Sequence, residues 1–211
     1  MIVEHFQVGL LGCNCVILGD ETTGEAIVVD PGGDVPKVLG RLRELGLRCT
    51  SIVHTHSHFD HVSGTREMQE STNAKTMIHE DDLFLFQGLQ MQLDSFGVPM
   101  RAPQPGEVDR FLVDGDAIRA GDLEAGVLHT PGHTPGSVCF LVNGDRPIVC
   151  AGDTLFRGSV GRTDLWRGSS TDLLRSIDDK LLTLPDETLV ITGHGPTTTI
   201  GFEKRANPFL S

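Results

Sequence analysis

Short apolar runs, punctuated by glycine, proline and acidic turns, alternate along the chain with stretches of helical period. Near the start, apolar and β-branched residues predict strands over Ile2–Leu10, Cys15–Leu18 and Ala26–Val29, with the polar turn Asp20-Glu-Thr-Thr-Gly24 among them. Val35–Leu45 predicts a helix with Asp34 as N-cap, Pro36 in its first turn and Gly46 just past its end. Gly64–Ser71 has helical character. Asp81–Phe96 predicts a longer helix whose Leu83, Phe84, Phe86, Leu89 and Leu93 recur at helical spacing and belong in the core. Hairpin signals follow at Asp114-Gly115 and Asn143-Gly144-Asp145. Thr171–Leu182 predicts a helix capped by Ser170 or Thr171, and Gly201–Ala206 a short closing one. No linker or low-complexity tract interrupts the pattern, so one domain spanning residues 1–211 is expected.

Several apolar runs end abruptly in metal-binding residue types. Ser51-Ile52-Val53 leads into His54-Thr-His-Ser-His-Phe-Asp-His61, which places His56, His58, Asp60 and His61 close together. Imidazole and carboxylate suit zinc, iron or manganese. Alternation past a strand end would turn His56, His58 and Asp60 to one face, with His61 beside them. Thr130-Pro-Gly-His133-Thr-Pro-Gly-Ser137 centres one histidine in a Gly/Pro loop. Ala151-Gly-Asp153-Thr154 follows the apolar run from Pro147, and Thr192-Gly-His194-Gly-Pro196 follows Thr188-Leu-Val-Ile191. Glycine at such ends lets backbone approach whatever the side chain binds. A lone loop histidine is usually just that, whereas four strand ends that each deliver His or Asp form a constellation.

The order T-H-x-H-x-D-H, then H, D and H, resembles the metallo-β-lactamase superfamily. The resemblance runs from Asn14-Cys15-Val16 and Val29-Asp30-Pro31-Gly32 to Asn207-Pro208-Phe209-Leu210. Through Pro131–Ser137, Gly152-Asp153-Thr154-Leu155-Phe156, Gly161-Arg162-Thr163-Asp164 and Gly193-His194-Gly195-Pro196 it is most similar to the short glyoxalase II-like hydrolases. It implies an α/β fold, an αββα sandwich of two mixed β-sheets flanked by helices, with the site at strand ends on one edge. It also implies two divalent metal ions, zinc first, with iron or manganese as alternatives. His56, His58 and His133 would hold the first, Asp60, His61 and His194 the second, and Asp153 would bridge them beside a hydroxide. That hydroxide, held by Asp153, would be the nucleophile, and Asp60 would be needed to keep the second metal. The implied substrate is a small-molecule acyl thioester such as S-lactoylglutathione, whose thiolate leaves without much acid help. Asp30 resembles the family carboxylate that sits behind a ligand histidine, with a plain turn residue before Pro31 as the alternative.

The chain departs from the longer glyoxalase II enzymes. It ends soon after His194, without a separate helical domain, and it contains no tyrosine, whereas those enzymes use a tyrosine in the loop after the bridging aspartate. Here that loop carries Arg157, Arg162 and Arg167 instead. An arginine fork suits a substrate carboxylate or phosphate, and pairing with Asp164 is the alternative for Arg162. Trp166 either walls the cleft or packs in the core. Arg162, Arg157 and Trp166 are thus the candidate substrate residues. Rival readings are a persulfide dioxygenase with one iron on His56, His133 and Asp153, and a lactone or ester hydrolase on the dinuclear centre. The ending Gly193-His194-Gly195-Pro196 argues against the dioxygenase, and the missing tyrosine against a lactonase.

Charge and targeting narrow the partners. Seventeen Lys and Arg against 29 Asp and Glu give a net charge of −12, a field that repels polyanions, so no nucleic-acid partner is expected. Cys13, Cys15, Cys49, Cys139 and Cys150 contain no C-x-x-C pair and read as buried thiols of a reducing compartment. Met1–His5 opens no basic-then-apolar leader, and no run reaches the ~18 apolar residues of a membrane helix. A cytoplasmic location without a membrane partner is expected, which argues against an exported β-lactam hydrolase. His5, His54, His79 and His129 are expected outside the ligand set.

Overall fold

Alternation along residues 13–19 decides how the chain layers. Val16 and Leu18 pack into one apolar cluster, whereas Cys13, Cys15 and Ile17 pack into another on the opposite face. Every residue of this strand is buried, as only a strand covered on both faces requires. In the computed structural model, which describes residues 1–144 and 146–210, this logic builds two six-stranded sheets. The first contains β1 (Ile2–Val8), β2 (Cys13–Gly19), β3 (Glu25–Val29), β4 (Arg48–Val53), β5 (Lys75–His79) and β6 (Arg110–Leu112), in that order. Its first three strands run antiparallel, and β3 to β6 pair in parallel. Next come β7 (Ala117–Ala120), β8 (Leu123–His129), β9 (Val138–Val142) and β10 (Ile148–Gly152). The ribbon of β11 (Leu155–Phe156) and β12 (Ser159–Val160) follows, then β13 (Leu189–Thr192) and β14 (Thr198–Thr199). The second sheet has the order β14-β13-β10-β9-β8-β7, with β13 parallel to β10 and its other neighbours antiparallel.

The inner faces meet in a core that includes Val16, Leu18, Ile27 and Val53 from the first sheet and Val127, Phe140 and Ile191 from the second. Each such side chain contributes roughly 1.5–3 kcal/mol on burial. Helices α1 (Val35–Glu44), α2 (Phe59–Val62) and α3 (Thr65–Thr72) follow strands of the first sheet. Val38 and Leu42 of α1 and Met68 of α3 cover that sheet's outer face. After a 3-10 turn at Glu80–Asp82 come α4 (Leu83–Gln87) and α5 (Leu89–Ser95). Leu173 of α6 (Ser170–Ser176) and Ile200 of α7 (Ile200–Ala206) pack on the outer face of the second sheet. This is the αββα sandwich of two mixed sheets.

Local expectations needed correction where a distant partner intervened. Asp34 is not an extended N-cap: its φ is 46°, it makes no capping bond, and its carboxylate accepts from the Gly9 N–H at 2.9 Å. The segment Asp81–Phe96 is not one helix. It opens with the 3-10 turn and breaks again at Gly88, although Phe86, Leu89 and Leu93 are buried as expected. Asp114-Gly115 forms no hairpin; the turn carries the chain from β6 of the first sheet to β7 of the second. The strands on either side of the second signal, β9 and β10, do pair antiparallel, and Asp145 lies outside the described residues. The helix after it is capped one residue earlier than expected, by Ser169, whose hydroxyl accepts from the Asp172 N–H, and it continues as a wider turn through Leu181. All five cysteines are buried and unpaired with each other. Among the described residues, no helix is long and apolar enough to cross a membrane.

Candidate metal centre

The loop after β4 is shaped by a buried carboxylate from the neighbouring strand end. Asp30, just past β3, accepts the Thr55 N–H at 2.8 Å and the Thr55 hydroxyl at 2.6 Å. That fixes the backbone from which His56 and His58 project before α2 begins with Phe59, Asp60 and His61. The β8–β9 loop brings His133, the end of β10 brings Asp153, and the end of β13 brings His194.

These seven residues form two adjoining clusters. In the first, single nitrogens of His56, His58 and His133 all lie within 4.8 Å of one another. His133 Nε2 stands 2.9 Å from His58 Nδ1. In the second, an oxygen of Asp60 and nitrogens of His61 and His194 meet the same limit. His194 Nε2 is 3.0 Å from Asp60 Oδ2 and 3.2 Å from His61 Nε2. Asp153 stands between them: Oδ2 lies 3.6 Å from His133 Nε2, and Oδ1 lies 3.5 Å from His61 Nε2. His56 Nε2 and Asp153 Oδ1 are buried without a hydrogen-bond partner. A buried polar atom left so is costly, and convergent imidazole and carboxylate atoms of this kind fit a divalent cation.

Electrostatics prepares the donors. Burial and the surrounding imidazoles push His56 and His58 well below the ordinary histidine range, and burial lowers His133 as well, so all three favour neutral lone pairs. Burial alone would raise Asp60, but His61 and His194 outweigh it and bring the carboxyl down to about 2. Burial opposes charge on His61 and His194 as well. Cys13, Asp60 and Asp153 around His61, and Asp60 and Asp153 around His194, nevertheless raise both.

The ring orientations are held from behind. His61 Nδ1–H donates to Asp30 at 3.0 Å, and His133 Nδ1–H donates to the Arg162 carbonyl at 2.8 Å, so each ring turns Nε2 toward the centre. Asp30 therefore does lie behind a site histidine. Three holding residues escaped sequence reasoning. Asn14 donates through Nδ2 to the Thr192 and Gly195 carbonyls, bracketing His194. Gln92 accepts the Phe59 N–H and donates to the Ser57 carbonyl. Asp82 accepts from Ser57, Thr134 and Gly136. Asn14 stood within the resemblance as a motif residue, but no local signal marks Gln92 or Asp82. Gly193, one of the strand-end glycines of the sequence, is needed for space: a Cβ there would overlap Asp153 Oδ1.

The candidate substrate residues fare unevenly. The Trp166 ring stands 5.5 Å from that of His58 and meets Phe96 edge-on at 5.7 Å, beside the first cluster. Arg162 contributes its carbonyl, while its exposed guanidinium makes two bonds to Asp164, at 2.7 and 2.8 Å. Arg157 lies over the Phe202 ring, in a separate hollow with Arg146 and Thr199. His54 is packed, its Nε2 3.0 Å from the Thr65 hydroxyl. His79 and His129 stack 4.1 Å apart at 10°, near Asp81. Parallel rings cannot both point an in-plane lone pair at one ion between them.

Comparison with known proteins agrees with this geometry. A family model described as the metallo-beta-lactamase superfamily matches residues 8–194. Hydroxyacylglutathione hydrolase GloC of Haemophilus influenzae is 37% identical over 218 residues, covering 100% of this chain and 99% of that protein. The crystal structure of the BLEG-1 B3 metallo-beta-lactamase matches with a TM-score of 0.91 at 33% identity, over 100% of both chains. TTHA1623, solved in a di-iron-bound form, matches with a TM-score of 0.82 at 37% identity, over 97% of this chain and 98% of that one.

Proposed function

The chain belongs to the metallo-beta-lactamase superfamily, and from that premise we propose that it is a dinuclear metal-dependent hydrolase of small acyl thioesters. The observation that carries the reading is the placement of Asp153, with one carboxylate oxygen toward each cluster. His56, His58 and His133 would hold one ion, Asp60, His61 and His194 the other, and Asp153 would serve both. When bound, such ions supply Lewis acidity and a hydroxide nucleophile at neutral pH. Zinc is the first expectation, and the di-iron form of TTHA1623 keeps iron in the proposal.

The chain's own residues do the positioning. Asp30 and the Arg162 carbonyl hold His61 and His133 in the tautomers that expose Nε2. Trp166 shields one side of His58 and helps to exclude water from the reacting centre. None of the site histidines is free to act as a general acid, which favours a leaving group that departs as an anion. A thiolate, of parent pKa near 8.5, meets that requirement better than an alkoxide. GloC, named as a hydroxyacylglutathione hydrolase, supports the same class, and an S-acyl glutathione is the first substrate to try.

The test is elemental analysis of protein purified without chelator or added metal, followed by a thioester panel starting from S-lactoylglutathione. Close to two metals per chain with thioester turnover is expected. A single iron per chain, with oxygen uptake on glutathione persulfide and no thioester cleavage, would replace the proposal with a dioxygenase.

A further inference from the structure

Asp82 lies in the 3-10 turn after β5 and is fully buried, yet it belongs to neither cluster. Its Oδ2 accepts the Ser57 N–H at 2.8 Å and the Thr134 hydroxyl at 2.8 Å, and its Oδ1 accepts the Gly136 N–H at 2.7 Å. Ser57 stands between His56 and His58, and Thr134 follows His133. One carboxylate therefore ties together the two segments that deliver the three-histidine cluster. Those segments come from different sheets: His56 and His58 follow β4 of the first, and His133 lies between β8 and β9 of the second.

We infer that Asp82 is the positioning residue that sets the separation of these two segments, and through it the metal affinity of the three-histidine cluster. The chemistry of the acceptor supports this. A carboxylate has lone pairs enough for three donors at once, whereas an amide would turn an N–H₂ toward one of them. The backbone is moulded to it: a Cβ on Gly136 would come within 2.7 Å of Asp82 Oδ1. A role in fold stability alone would need no such selective contact with the histidine segments. Glu203 gives the contrast. It is equally buried and accepts from Gly158, Thr198 and Asn207, none of which adjoins a residue of either cluster.

The inference rests on the two-metal reading, and the experiment separates the two. Metal-free chain is titrated with Zn²⁺ against a competing chelator, giving two stepwise affinities for the wild type, Asp82→Asn and Glu203→Gln. Asp82→Asn should weaken one step by about 10- to 100-fold, the range for changes behind metal ligands, and leave the other within about threefold. Glu203→Gln should lower the melting temperature and leave both steps in place. Thr134→Val, which removes a single bond, should show the same selective loss in smaller measure and serves if Asp82→Asn fails to fold. Unchanged affinities in both Asp82→Asn and Thr134→Val, or an equal loss at both steps, overturn the inference. A wild-type chain that binds fewer than two Zn²⁺ overturns the two-metal reading itself.

Discussion

Replacing Gly193 by alanine tests the arrangement around Asp153. Gly193 is not at positive φ, so alanine brings no backbone strain and its whole effect is one methyl group. Built on the existing backbone, that Cβ overlaps Asp153 Oδ1 and sits 2.9 Å from the Gly152 carbonyl carbon and 3.0 Å from His61 Cε1. Backbone and a buried ring yield poorly, so the carboxylate has to withdraw by about 1.4 Å or more to restore ordinary contact. Metal–ligand distances tolerate only about ±0.2 Å, so a group that faces both clusters loses at least one of them. A displacement of about 1 Å costs on the order of 100-fold in rate. The expected result is a fall in kcat/KM of that size and a metal content below two per chain. Overpacking adds a stability loss of about 1–3 kcal/mol. Gly195→Ala is the control, because Gly195 has φ 73° and nothing within 4 Å of its Cβ position. It should lose about 1–2 kcal/mol of stability from backbone strain and keep both metals. Initial rates on a thioester, elemental analysis and thermal melts read all three quantities. A Gly193→Ala protein with two metals and kcat/KM within about threefold of wild type would refute the bridging position of Asp153.

Asp60→Ala should lose most hydrolysis and one metal per chain while keeping the fold, and elemental analysis that still finds two metals would contradict its place in the second cluster. Arg162→Ala should change KM by the same small factor for acidic and neutral thioesters, because its exposed guanidinium is already committed to Asp164. A KM rise confined to acidic substrates would instead make it a substrate fork. Burial raises the Asp82 carboxyl from 3.8 to about 6, opposed by its Thr134, Gly136 and Ser57 bonds and assisted by Asp81. A carboxyl that holds its proton more tightly when folded loses stabilisation as pH rises, here by roughly 3 kcal/mol between about pH 4 and 6. In urea unfolding of the metal-free chain, the wild-type advantage over Asp82→Asn should shrink by that amount across the window, and a constant difference would show that Asp82 does not titrate there.

What the chain order reveals depends on how far away the deciding partner lies. The gathering of His56, His58, Asp60, His61, His133, Asp153 and His194 was legible because each carries its chemistry in its own residue type and stands where an apolar run stops. The layering was legible too, since uninterrupted apolar runs such as Val16–Leu18 require cover on both faces. Asp34 looked like a cap because the residues after it are helical, yet its carboxylate is taken by Gly9, 25 positions earlier. Asp114-Gly115 is the same turn whether the strands it joins share a sheet or change sheets, so no local pattern could separate hairpin from crossover. For Arg162 the chain order left two readings open, a substrate fork or pairing with Asp164, and the structure pairs its guanidinium with Asp164 only two residues away.

Asp82 and Gln92 mark the limit of such reading. Within their own segment they look like an acidic helix start and a helical polar residue. Asp82 takes its role from Ser57, 25 positions earlier, and from the 134–136 loop more than 50 positions further on; Gln92 takes its role from Ser57, 35 positions earlier. Ligand identity is thus written in residue type, whereas ligand spacing is written in which remote N–H a buried acceptor finds. On the proposed reading, two chains with the same order of histidines and aspartates would differ in metal affinity through a position such as 82 while every proposed ligand stays the same. A search for what distinguishes this chain from its relatives belongs at the turns that hold the ligands as much as at the ligands themselves.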